Sequence, residues 1–98
     1  METVFLKKRG KEVYEYLMQV LRKRGFLIKE SDLNKGYITA NNKASWLSYG
    51  ERIEITLKEK SGGTDISIKS YSPGVQIVDW GTNDKNEKLI QKELLNFQ

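Results

Sequence analysis

Glu51-Arg-Ile-Glu-Ile-Thr-Leu-Lys-Glu59, followed beyond Lys60 and the turn Ser61-Gly-Gly-Thr64 by Asp65-Ile-Ser-Ile-Lys-Ser-Tyr71, is the stretch that decides the fold. The first half alternates cleanly: Ile53, Ile55 and Leu57 fall on one face, Glu54, Thr56 and Lys58 on the other, which is the period of a strand with one buried and one wet side. The second half resumes the alternation with Ile66 and Ile68 inward. A glycine pair between two such runs predicts a β-hairpin, and the pattern fixes its register, because a slip of one residue would turn every isoleucine to water.

Working outward toward the N-terminus, Phe26 to Ser31 and Gly36 to Asn41 read as two further strands, joined by the turn-rich Asp32-Leu-Asn-Lys-Gly36. Before them, Lys11 to Arg24 changes period: Val13, Leu17, Val20 and Leu21 recur at helical spacing, and Gly25 follows as a residue suited to end a helix. Thr3 to Lys7 is a short β-rich run. Toward the C-terminus, Pro73-Gly74 breaks the pattern, and Val75 to Gly81 fits either a short strand or an extended lead into the next element. Asn83 to Phe97 carries Leu89, Ile90, Leu94, Leu95 and Phe97 and reads as a second amphipathic helix, with Thr82, Asn83 and Asp84 as candidate caps and Glu87 three residues after Asp84.

The expected order is β-α-β-β-β-β-α. Strands with one apolar face need a cover, and two amphipathic helices supply it. The expectation is a single α+β domain over residues 1–98, a two-layer sandwich of about five antiparallel strands with two helices on one face. Ninety-eight residues, 38% of them hydrophobic, suffice for one modest core.

Composition excludes more than it assigns. There is no histidine and no cysteine, which removes the commonest general base, the usual zinc ligands and the Cys–His and Ser–His nucleophile pairs. No enzymatic activity, cofactor or metal is expected. Asp32 to Gly36 departs from a calcium loop, its glycine standing at the fifth position and no glutamate closing the twelfth. Gly62-Gly63 departs from a phosphate loop, because a strand follows where a helix is needed. The apolar run Val4 to Leu6 is far shorter than the ~7–15 residues of a signal-peptide core, and nothing approaches the ~18 apolar residues of a membrane span. A cytoplasmic location is the expectation.

The net charge of +4 is uneven: residues 1–50 hold ten Lys/Arg against five Asp/Glu, residues 51–98 seven against eight. Lys7-Lys8-Arg9 and Arg22-Lys23-Arg24 could attract nucleic acid. The second cluster, however, lies in a last helical turn, where the helix dipole favours cations anyway. The outward sheet face mixes Lys58 and Lys69 with Glu54 and Asp65 and offers no positive surplus for phosphates. Nucleic-acid binding is the weaker expectation.

Two segments place tryptophan beside glycine, Ser45-Trp-Leu-Ser-Tyr-Gly-Glu51 and Gln76-Ile-Val-Asp-Trp-Gly-Thr-Asn83. Trp46, Leu47, Tyr49 and Trp80 are either a recognition surface or the rim of a small core, and the second alternative is favoured because large aromatics usually serve packing. Read together with the hairpin between them, these segments resemble a pattern found in small uncharacterised bacterial domains. The element order resembles the TATA-binding-protein-like arrangement and, more loosely, the helix-grip fold of START-like lipid binders. The first resemblance implies DNA on the concave sheet, though no phenylalanine wedges match at the strand ends; the second implies a small apolar ligand between helix and sheet, though no insertion widens that gap. The leading expectation is a non-enzymatic binding or accessory domain that acts through a protein partner or self-association, using the Trp46 to Gly50 loop or the open sheet face.

Overall fold

In the computed structural model, which describes residues 2–41, 51–71 and 82–97, the central hairpin pairs β4 (Arg52–Lys60) with β5 (Gly63–Tyr71). Ile55 stands opposite Ile68, and Leu57 opposite Ile66. The turn is two residues long, and Gly62 takes φ +88°, a backbone angle that glycine adopts without steric cost. β3 (Tyr37–Asn41) joins β4 on one side and β1 (Glu2–Leu6) joins β5 on the other. β2 (Leu27–Asp32) forms the far edge, so the order is β1-β5-β4-β3-β2, antiparallel throughout.

The helices α1 (Gly10–Lys23) and α2 (Thr82–Leu95) follow β1 and β5 in the chain. α1 buries Val13, Leu17, Val20 and Leu21, the stripe its spacing predicts. It ends in a Schellman motif: the Phe26 N–H donates to the Leu21 carbonyl and the Gly25 N–H to that of Arg22, with Gly25 at φ +85°. Phe26 is thereby turned into the core. α2 buries Ile90 and Leu94 completely, while Leu95 is 49% exposed and Phe97 half-buried. Leu95 therefore departs from the apolar face expected of it, because it closes the helix one position beyond Leu94 and so points around the axis from the sheet.

One cluster holds the inward residues of the strands together with both helices: Ile38, Ala40, Ile53, Ile66, Ile68, Val13, Leu17, Leu21, Ile90 and Leu94 all have zero exposure. Each isoleucine buried this way contributes about 1.5–3 kcal/mol relative to exposure. The α+β class and the five-stranded antiparallel sheet with two helices are those expected. The Trp46 to Gly50 loop, the Val75 to Gly81 segment and the side chains of the three candidate caps lie outside the described residues. Glu87 is not outside them: it is buried at 5% exposure and accepts a hydrogen bond from the Ser70 backbone N–H at 2.8 Å, fastening α2 to the end of β5.

The β2–β3 turn is built by Asp32. Its side chain accepts from the Lys35 N–H at 3.0 Å and its carbonyl from the Gly36 N–H at 2.8 Å, while Gly36 takes φ +72°. The Gly36 carbonyl then accepts from the Leu57 N–H, and a Cβ on Gly36 would collide with the Leu57 carbonyl oxygen. This glycine closes β3 onto β4.

Candidate functional site

Among the described residues two surfaces stand out: the outer face of the sheet, and one end of the sandwich. The alternation that drives Ile53, Ile55 and Leu57 inward sends Glu54, Thr56 and Lys58 outward, and the same holds for Asp65, Ser67 and Lys69 on β5. Pairing sets Glu54 directly opposite Lys69 and Lys58 opposite Asp65, with Thr56 opposite Ser67 between them. The charges form a checkerboard of two positive and two negative corners around a pair of small hydroxyls. Tyr37 and Thr39 continue the face on β3 and Thr3 and Phe5 on β1, Phe5 being 46% exposed. The Tyr37 hydroxyl donates to the Glu30 carboxylate at 3.1 Å, and that bond, with the adjacent negative charge, pushes the phenol above its ordinary range.

The edges of this sheet are not equivalent. β2 slips register between Ile28 and Glu30, a bulge at Lys29, and bulges and lysines discourage another chain from pairing along an edge.

At the end of the sandwich where α1 begins, the β1–α1 connection Lys7-Lys8-Arg9 meets the tip of the β4–β5 hairpin. Together they line a cleft of about 260 Å³ formed by Lys7, Lys8, Arg9, Glu59, Lys60, Gly62 and Gly63. The connection is fixed in place by the Thr64 hydroxyl, which is buried and donates to the Lys8 carbonyl at 2.7 Å. A Cβ on Gly63 would collide with the Leu6 carbonyl oxygen and the Phe5 ring, so bare backbone is required there.

A third cluster ties the chain's C-terminal turn to α1. Phe97 stacks on Tyr16 with ring centroids 4.0 Å apart, and the Lys8 ammonium lies 4.8 Å from the Phe97 centroid. The Tyr16 hydroxyl donates to the Glu93 carbonyl at 2.8 Å, and Arg24 pairs with the Glu93 carboxylate. Burial, then the Glu93 charge, raises the Tyr16 phenol; the hydrogen bond from Arg24 holds the Glu93 carboxyl below its usual range. This arrangement is a latch between helices, with no group free to do chemistry.

Of the site residues expected from sequence, Trp46, Leu47, Tyr49 and Trp80 all lie outside the described residues. Among the described residues no group of three acidic side chains is gathered as a metal site, and no helix is long and apolar enough to cross a membrane. The basic end combines a cluster legible in sequence with partners that are not: Lys60 and the glycine pair stand some fifty positions further along and arrive only because β1 pairs with β5. No protein-family model matches the chain, and no curated protein matches it.

Proposed function

We propose that this domain is a non-enzymatic binding module that works through protein contact on the outer face of its sheet, and that the partner this face fits is a second copy of the chain. The carrying observation is the charge checkerboard. A copy turned about a two-fold axis parallel to the strands, between β4 and β5, lays β4 over the partner's β5 at the same level. Glu54 then meets the second Lys69 and Lys58 the second Asp65, in both directions. Opposite charges placed this way favour one register and reject others. Five strands about 4.8 Å apart, the central two nine residues long, offer on the order of 500 Å² per copy, at the small end for a specific contact. An area at this end of the range suits a weak, transient dimer.

The other readings are less well supported. A TATA-binding-protein-like role would use this face for DNA, but Glu54 and Asp65 are interleaved with its lysines, where a phosphate-binding face would carry cations alone. A helix-grip role needs space between α2 and the sheet; Ile90, Leu94, Ile66 and Ile68 instead share one cluster at zero exposure.

Thr56→Arg tests the contact. Thr56 is exposed at the centre of the checkerboard, so a long cation there blocks the face without touching the core. Sedimentation velocity from 10 to 500 µM should show wild-type chain moving toward dimer and the variant remaining monomeric with an unchanged melting temperature. A monomer across the whole range in both proteins contradicts the proposal.

A further inference from the structure

The cleft at the basic end has a charge excess that the fold does not consume. Lys7, Lys8, Arg9 and Lys60 line it against a single lining acid, Glu59. Glu59 is directed elsewhere: a Cβ on Gly10 would stand 3.0 Å from its Cγ and Oε1, so its carboxylate already faces the first turn of α1, where negative charge is favoured. Lys60 pairs with Asp65 at 2.5 Å, and Lys8 lies against the Phe97 ring. Among the described residues neither Lys7 nor Arg9 has an ion-pair partner, although the connection that carries them is anchored by the buried Thr64 hydroxyl.

We infer that this cleft is an anion site that takes a phosphate group, carried either by a small soluble ligand or by a lipid headgroup. Four cations against one lining acid, or two with Asp65, leave a surplus of two to three charges. A dianion matches that surplus, whereas a single carboxylate would leave one to two charges uncompensated. Arg9 supplies a planar fork suited to two phosphate oxygens and Lys7 a point charge. Gly62, which has open space where a Cβ would stand, lets an anion approach that side of the turn without meeting a side chain. The cations converge on one cleft instead of running as a track along the surface, which a nucleic-acid strand of several nucleotides would need. The cleft lies at the end of the sheet, and Thr56→Arg leaves its lining residues unchanged, so the two proposals fail separately.

The test is a titration of the isotope-labelled chain followed by amide chemical shifts, at constant ionic strength, with inorganic phosphate and with acetate. Phosphate should move the amides of Lys8, Arg9, Gly62 and Gly63 in a saturable way, at least tenfold more tightly than acetate. Lys7→Gln with Arg9→Gln, both exposed positions, should weaken phosphate at least tenfold while the melting temperature stays put. Vesicles of neutral lipid with 10% phosphatidic acid separate the sources: co-sedimentation lost in the double variant assigns the phosphate to a lipid, and its absence alongside phosphate binding assigns a soluble ligand. Equal response to phosphate and acetate, phosphate binding unchanged in the double variant, or a short oligonucleotide bound while phosphate is not, each overturns the inference.

Discussion

Replacing Glu87 by Ala isolates the joint that holds α2 to the sheet. In the folded chain this carboxylate is buried at 5% exposure and accepts the Ser70 backbone N–H at 2.8 Å. Removing it leaves a buried donor unsatisfied, at a cost of about 1–3 kcal/mol, and the truncated methylenes add about 1 kcal/mol more. The expected loss is therefore about 2–4 kcal/mol, a drop of roughly 10–25 °C in melting temperature for a domain of this size. Glu87→Gln keeps an acceptor oxygen at the same reach and should lose about half as much. Thermal and urea unfolding followed by circular dichroism give the totals, and hydrogen exchange at the Ser70 amide reports the bond itself. If Glu87→Ala melts within 2 °C of wild type, or the Ser70 amide keeps its protection, the carboxylate is not what joins these elements.

Gly36→Ala places a Cβ at φ +72° against the Leu57 carbonyl. It should destabilise by about 2 kcal/mol or more, whereas Ala at Gly25, which has φ +85° but open space around it, should cost about 1 kcal/mol; equal melting temperatures would refute the distinction. The helix latch predicts two pH responses. Glu93 is lowered in the folded state, so its contribution is present above the unfolded carboxyl range and fades as pH falls through the folded value; Glu93→Gln should flatten the acid limb of a stability profile. Tyr16 is raised, so its contribution is present below the ordinary tyrosine range and fades as pH climbs through the folded value; Tyr16→Phe should shrink that alkaline limb and leave the share that Tyr37 supplies.

The parts of this fold that can be read from sequence are those where local pattern and tertiary demand coincide. The alternation of Ile53, Ile55 and Leu57 indicates both strand and buried face, and Gly25 marks the end of α1 because a Schellman motif needs a positive φ at that one position. Element ends differ by a residue or two, as in β5, which begins at Gly63, where the pattern suggests Asp65. Leu95 and Glu87 are harder. Helical spacing alone does not say that α2 turns Leu95 outward, and the motif that makes Glu87 a capping partner carries no sign of Ser70, seventeen residues back.

The candidate surfaces divide along the same line. The charge balance of the outer face follows from the alternation of residues alone, but the checkerboard needs the register that sets Glu54 against Lys69 and Lys58 against Asp65. Lys7-Lys8-Arg9 is plain as a basic run. Its meaning depends on the β1–β5 pairing, which brings the turn glycines and Lys60 to it from the far half of the chain. Those glycines lack the helix a phosphate loop requires, and the cations beside them supply what the helix would have.

The measurement that bears most directly on the central claim is a dilution series of amide spectra on the wild-type chain. If the outer face binds a second copy, the amides of Glu54, Thr56, Lys58, Asp65, Ser67 and Lys69 shift together between 10 and 500 µM, with a single dissociation constant, while those of Lys8 and Gly62 stay still. Spectra that do not change with concentration, or shifts confined to residues away from β4 and β5, contradict it.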